Sequence, residues 1–227
     1  MREDILYNNA MEPSEVIRNT ERFVKERLKG EPTGHDWYHV ERVRNIANTL
    51  YESEGGDWLI IELTLLLHDV GDRKVINEDD DDYTIAENFL TQQELSPELI
   101  EAIMNIIKTM SFSKSFDTQA EEKSLEFQIV QDSDRLDALG AIGIARAFAF
   151  GGSRGRALYD PEHQAQTYHS SEEYKKSEGS TFHHFEEKLL LLKDLLNTDT
   201  AKKIAEERDE FMRTFLKEFL DEWNGQK

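Results

Sequence analysis

The stretch Leu63-Thr-Leu-Leu-Leu-His68-Asp69 constrains the fold of this chain more than any other. It lacks the period-two alternation of a half-buried strand, and Trp58, Leu59, Ile60 and Ile61 precede it. A run of this kind reads as a helix that is apolar nearly all round, and such a helix has to be buried. It ends in an imidazole and a carboxylate, and polar groups carried into a core must find partners there. A metal ion would satisfy both. So would a plain hydrogen-bonded His-Asp pair, and the dipeptide alone does not choose between them.

The flanking segments read as further helices. Pro13 and Ser14 open the first, with Val16, Ile17, Phe23, Val24 and Leu28 on its inner side and Gly30 beyond its end. Glu31-Pro-Thr-Gly34 reads as a loop. Asp36 is placed to cap a second helix in which His39, Val43, Ile46 and Leu50 recur at spacings of four, three and four. That periodicity puts His39 on the buried stripe. Gly55-Gly56 ends this helix, and Asp57 caps the apolar one. The acidic run Glu78 to Asp82 reads as a solvated loop, because it lacks the alternating spacing and the glycine of a calcium loop. Tyr83 to Leu90 is expected to be helical. So is the segment opened by Ser96-Pro97, which turns Leu99, Ile103, Ile106, Ile107 and Met110 inward.

After an interruption at Ser111 to Phe116, helix is expected to resume near Lys123 and continue to about Phe150. Phe127, Val130, Leu136, Leu139, Ile142 and Phe148 mark it as buried around Asp132, Asp134 and Asp137. Residues 151–180 are rich in Gly, Ser, His and Tyr and are expected to form a long loop. Two helices follow. One carries the stripe Phe182, Phe185, Leu189, Leu192 and Leu196. The other carries Ile204, Phe211, Met212, Phe215, Leu216, Phe219 and Trp223. No segment reads as a strand. The expected architecture is an all-α, single-domain globular bundle of about eight or nine helices. It spans residues 1–227, with its core between residues 14 and 224.

Charge and composition narrow the chemistry. The net charge is −20, which repels duplex nucleic acid and anionic lipid. The chain has no cysteine, so disulfides and thiolate metal sites are excluded and any metal must be held by His and carboxylate. No stretch is long and apolar enough to cross a bilayer, and Met1 to Leu6 lack the basic start and apolar run of a signal peptide. A cytoplasmic protein is expected. The chain shows no Walker A motif, no His-Glu-x-x-His and no dinucleotide fingerprint.

Three buried segments each bring a candidate ligand inward: His39, then His68-Asp69, then an aspartate of the group Asp132, Asp134 and Asp137. A mixed nitrogen and oxygen set suits Mn, Fe, Co, Ni or Zn better than Ca or Mg, which prefer oxygen alone. In this order the residues resemble the H…HD…D signature of the HD-domain metal-dependent phosphohydrolase superfamily. The local wording is similar too: Gly34-His-Asp-Trp-Tyr-His39-Val-Glu-Arg-Val43, Leu66-Leu-His68-Asp69-Val-Gly-Asp72 and Asp132-Ser-Asp134-Arg-Leu-Asp-Ala-Leu-Gly140. Gly155-Arg-Ala-Leu-Tyr-Asp-Pro161, the segment from His184 to Asp194, and Glu210-Phe-Met-Arg-Thr-Phe-Leu216 are similar to a group of small single-domain bacterial HD hydrolases. The resemblance runs from about residue 14 to residue 224.

The resemblance implies His39, His68, Asp69 and Asp134 as ligands of a single divalent transition metal. Mn stands first, with Fe, Co, Ni or Zn as alternatives. Asp134 is chosen because the family's last aspartate usually precedes a basic residue and a leucine, as Asp134-Arg135-Leu136 does; Asp137, three residues on, is the fallback or a supporting acceptor. Asp69 and Asp72 are the implied catalytic residues, Asp72 orienting or deprotonating the attacking water. Arg73, Lys74, Arg154 and Arg156 are candidates for neutralising substrate phosphates, and His35 for reaching the substrate from the rim. His183 and His184, as adjacent helical residues, point about 100° apart and do not chelate one ion easily. One of them is expected to be buried and hydrogen-bonded. His163 and His169 are expected to have no ligand role.

The activity implied is hydrolysis of nucleoside or deoxynucleoside triphosphates to monophosphate and pyrophosphate. A monophosphatase or phosphodiesterase could use the same site, and a non-catalytic nucleotide-binding module is the rival from another class. The expected partners are small phosphorylated molecules, neither duplex nucleic acid nor membrane, in a monomer or homodimer.

Overall fold

Helix α3 (Trp58–Leu67) is apolar on every side because it lies between two halves of the core. Ile61 and Leu65 point into one half. Leu59, Leu63, Leu66 and Leu67 point into the other. Burial of each such leucine contributes about 1.5–3 kcal/mol, so a ten-residue helix can anchor the whole bundle. Asp57 starts it, accepting from the backbone N–H groups of Leu59 and Ile60 at 2.9 and 3.3 Å. The run conceals one charge. Glu62 is buried and accepts from Arg44, which also reaches Glu21 at 2.8 Å.

This is a computed structural model, and it describes residues 12–30, 34–71, 82–113, 123–170, 172–173 and 179–227. Around α3 stand α1 (Pro13–Arg27), α2 (Trp37–Glu54), α4 (Thr84–Gln92), α5 (Pro97–Thr109), α6 (Leu125–Asp137) and α7 (Gly140–Ser153). The chain closes with α8 (Thr181–Glu187), a 3₁₀ helix (Leu189–Leu195) and α9 (Asp199–Trp223). Among the described residues there are nine α-helices and no strand, so the expected all-α class holds. None of these helices is long and apolar enough to cross a membrane. On one side α1, α4 and α5 cover α3; on the other α2 and α6 pack together, with α7, α8 and α9 behind them.

The caps read from sequence are in place. Pro13 opens α1, Asp36 accepts from the N–H of His39 at 3.0 Å, and Ser96 accepts from that of Leu99 at 3.2 Å. Asp132 does something different from its neighbours. It accepts from the backbone N–H groups of Asn197 and Thr198 and from both their side chains, at 2.8–3.1 Å, and so pins the start of α9.

Four expectations need correction. The helix from Lys123 to Phe150 is two helices. Leu139 is extended and Gly140 has φ +69°, a left-handed conformation that glycine adopts cheaply. A Cβ on Gly143 would lie 2.2 Å from the carbonyl oxygen of Ala138, so only glycine lets α7 start this close to the end of α6. The loop begins after Ser153 and not at Gly151, and it doubles back: Thr181 and Phe182 donate to the carbonyls of Ala157 and Leu158, each at 2.9 Å. The stripe from Phe182 to Leu196 is shared between α8 and the 3₁₀ helix, divided at Lys188. Ile142, Phe211 and Trp223 are exposed, because α7 and α9 turn only their mutual faces inward.

Candidate metal centre

His39 comes from the first turn of α2, His68 and Asp69 from the end of α3, and Asp134 from α6. His39 is fully buried, and His68 and Asp69 are buried. The Nε2 atoms of His39 and His68 lie 3.1 Å apart. Asp69 Oδ2 is 3.3 and 3.4 Å from them, and Asp134 Oδ1 is 3.5 and 3.9 Å away. Donors arranged in cis around one first-row ion at about 2.1 Å lie about 3 Å apart, so these spacings suit a common ion with slight contraction.

The far side of each imidazole strengthens the fit. His68 Nδ1 faces the carbonyl oxygen of Leu65 at 2.8 Å, and a carbonyl can only accept. His39 Nδ1 faces Asp137 Oδ2 at 2.7 Å. Both rings therefore carry their proton on Nδ1 when neutral and turn the Nε2 lone pair inward. Two lone pairs and two carboxylate oxygens converge on one point. That is a donor set which a divalent cation satisfies.

Asp137 supports this arrangement from behind. It is buried and accepts from Arg42 at 2.8 and 3.0 Å and from Arg146 Nη1 at 2.7 Å, besides His39. Burial alone would raise its carboxyl, but the His39 hydrogen bond and the Arg42 and Arg146 guanidiniums hold it below the usual carboxylate range. For Asp69, burial is outweighed by His68 and His35, and the carboxyl is held well below its ordinary value. For Asp134, burial is outweighed by His68 and then His39, again downward. His39 is opposed by burial and by nearby Arg146, yet Asp137 and Asp69 hold it above its ordinary value.

Of the residues singled out from sequence, His35, His39, His68, Asp69 and Asp134 come together. His35 Nδ1 is 2.7 Å from Asp69 Oδ2, so its place is against the cluster as well as at the rim. Asp134 faces the Nε2 side of both histidines while Asp137 occupies the Nδ1 side of His39, which favours Asp134 over its fallback. Arg154 is exposed and lies over the Phe150 ring, 5.5 Å from its centroid. Arg156 is half-buried, with its backbone N–H on the carbonyl of Gly151 at 2.9 Å. Asp72, Arg73 and Lys74 lie outside the described residues. His183 is buried beside Ser180 Oγ at 2.8 Å, as one of the adjacent pair was expected to be.

Arg42 and Arg146 were not read from the sequence. Arg42 lies three residues after His39 on the same face of α2, a spacing that could have marked it. Arg146 has no such signal. It reaches Asp137 from α7, and only the break at Leu139-Gly140 sets α7 at the required angle.

Residues 36–139 match the family profile described as HD domain, a span that holds His39, His68, Asp69 and Asp134. A protein of known structure from Lactobacillus plantarum is 36% identical, covering 95% of this chain and 100% of its own, with a TM-score of 0.84. An HD-superfamily hydrolase from Bacillus thuringiensis is 41% identical over 94% of this chain and 99% of its own, with a TM-score of 0.71. YpgQ of Bacillus subtilis, an uncharacterized protein, is 38% identical over 210 residues, 92% of each chain. Its crystal structure in complex with ADP covers 91% of this chain and 96% of its own, with a TM-score of 0.69. The profile covers the helices that build the cluster and the relatives extend over the helices behind it, so the chain belongs to the HD-domain superfamily, with the bacterial HD-superfamily hydrolases.

Proposed function

We propose that this protein is a metal-dependent phosphohydrolase acting on nucleotides. The observation that carries the reading is the convergence of two buried imidazole nitrogens, the buried Asp69 carboxylate and the half-buried Asp134 carboxylate. His39, His68, Asp69 and Asp134 would hold one divalent transition ion, Mn first among Mn, Fe, Co, Ni and Zn. Such an ion, when bound, polarises a phosphoryl oxygen and lowers the pKa of water toward about 7.

The chain's own residues supply the rest. Asp137 holds His39 in the tautomer that presents Nε2, and Arg42 and Arg146 keep Asp137 ionised. His35 orients the inner oxygen of Asp69. Arg146 has guanidinium donors beyond the one used on Asp137, and it lies near enough to Asp134 and His39 to act on their charge. It takes the part of offsetting phosphate charge more readily than Arg154, which faces solvent. Asp72 remains the proposed residue for orienting water, with Arg73 and Lys74 beside it as phosphate partners.

The substrate class is a nucleoside or deoxynucleoside triphosphate, water attacking the α-phosphorus and pyrophosphate leaving with the monophosphate as second product. Two things support a nucleotide: the ADP complex of YpgQ, and the similarity to YpgQ across nearly the whole chain. The reading also takes the full chain as one domain and its setting as the cytoplasm.

The deciding experiment strips the purified protein of metal, resupplies Mn²⁺, and follows phosphate and pyrophosphate separately over nucleoside mono-, di- and triphosphates, with Asp69→Ala in parallel. Pyrophosphate from triphosphates, lost with the metal and in the variant, is the expected result. Phosphate from monophosphates would make the protein a nucleotidase on the same site. Binding without turnover under every metal would overturn the hydrolase reading.

A further inference from the structure

Asp137 also lines a cleft of about 330 Å³ that opens between α2, the start of α7 and α9. It lies at the small end of the range for ligand pockets, about 300–1,000 Å³. Arg42 and Arg208 line it together with Asn45, while Ile46, Leu139 and Ile142 supply an apolar wall. Two guanidiniums in one cleft stand out on a chain of net charge −20. Arg42 is answered by Asp137. Arg208 is not: among the described residues no carboxylate lies within ion-pair distance of it, and its one hydrogen bond runs from Nη1 to the carbonyl of Leu136. Its stem is also held, since the Cβ that Gly140 lacks would lie 3.1 Å from Arg208 Cγ. Half-buried and fixed in direction, this guanidinium keeps donors in the cleft, and the carboxylate that shares the lining, Asp137, is taken up by His39, Arg42 and Arg146. Desolvation accordingly pushes Arg208 below its ordinary pKa, with Asp137 as the partial counterweight.

We infer that this cleft is a second binding site, distinct from the metal centre, for a phosphate group held between Arg208, Arg42 and the Asn45 amide. Guanidinium forks match phosphate oxygens in geometry and charge. The apolar wall favours a nucleoside monophosphate over inorganic phosphate, because Ile46, Leu139 and Ile142 offer contact to a base or sugar that a bare anion lacks. The site also has a route to the metal centre. An anion taking hydrogen bonds from Arg42 competes with Asp137 for the same guanidinium, and Asp137 holds His39. Occupancy of the cleft is therefore felt as a change in metal affinity.

The test uses the full chain and calorimetric titration with inorganic phosphate and with AMP. Four proteins are compared: wild type, Asp69→Ala, Arg208→Met and Ile142→Glu. Asp69→Ala disables the proposed metal centre, so binding that survives in it belongs elsewhere. Ile142 is exposed at the rim, so Ile142→Glu brings a negative charge to the cleft without disturbing the core. The expected result is binding in Asp69→Ala protein, tighter for AMP than for phosphate. It should weaken about tenfold or more in Arg208→Met and in Ile142→Glu, the worth of one or two charge-assisted hydrogen bonds. Equal affinity in wild type and Ile142→Glu, or loss of all binding in Asp69→Ala alone, would overturn the inference. Neither result depends on turnover, so a failure here is separable from a failure of the hydrolase reading. If binding is found, Mn²⁺ affinity measured with and without AMP reports the coupling. An unchanged Mn²⁺ affinity would remove the link to Asp137.

Discussion

Asp137 Oδ2 lies 2.7 Å from Nδ1 of His39 and 2.7 Å from Nη1 of Arg146, so one oxygen ties α2, α6 and α7 together behind the metal centre. The first prediction concerns that oxygen. Asp137→Asn keeps the shape but loses the charge, and Mn²⁺ affinity measured by calorimetry should fall about 10–100-fold. Asp137→Ala should also cost about 2–3 kcal/mol in urea unfolding of the metal-free protein. That figure lies below the usual range for breaking a buried ion pair because Arg42 is about a third exposed.

Removal of the metal should lower stability as well as activity. At a metal concentration about 100 times Kd, binding to the native state alone adds about 2.7 kcal/mol. Thermal unfolding should therefore shift upward on adding Mn²⁺ to wild type and not move in Asp69→Ala. An equal shift in the variant would place the ion elsewhere.

Asp132 and Asp134 are two residues apart and should behave oppositely. Asp132→Ala removes the acceptor that pins Asn197 and Thr198, and should destabilise by about 2–4 kcal/mol while leaving Mn²⁺ affinity within a factor of about two. Asp134→Ala should abolish tight Mn²⁺ binding with little loss of metal-free stability. Denaturant titration and calorimetry on both variants check the pair.

Two glycines of α7 should also separate. Gly143→Ala places a Cβ 2.2 Å from the Ala138 carbonyl oxygen and should cost more than about 2 kcal/mol. Gly152→Ala meets nothing within 4 Å and should be neutral or stabilise by up to about 1 kcal/mol. Thermal melts of the two proteins decide it.

Among the arginines, Arg146→Met should lower kcat/KM for the best nucleotide about 10–100-fold, and Arg154→Ala should leave it within about twofold. Steady-state kinetics on the two variants distinguish them. Equal effects would return Arg154 to the site.

Much of this protein was decided locally and could be read in order along the chain. Pro13, Asp36, Asp57 and Ser96 act on the backbone within a few residues of themselves, so their sequence neighbours are enough to identify them. The apolar run before His68 and the spacing from His39 to Leu50 declared which faces are buried, because helical period is a property of the chain itself. The candidate ligands were legible for the same reason: each is a polar residue on a face that has to be inside. What tertiary structure decided is how those faces meet. The break at Leu139-Gly140 depends on Ala138 and Arg208 crowding the backbone, and Arg208 is distant in sequence. Asp132, Asp134 and Asp137 share one helix, but one caps α9, one faces the histidine Nε2 atoms and one backs His39; only the positions of α2, α7 and α9 assign those roles. Arg146 and Arg208 gain their meaning in the same way. A charged side chain on a helix can be read as polar from its neighbours, but what it answers is set by the element packed opposite.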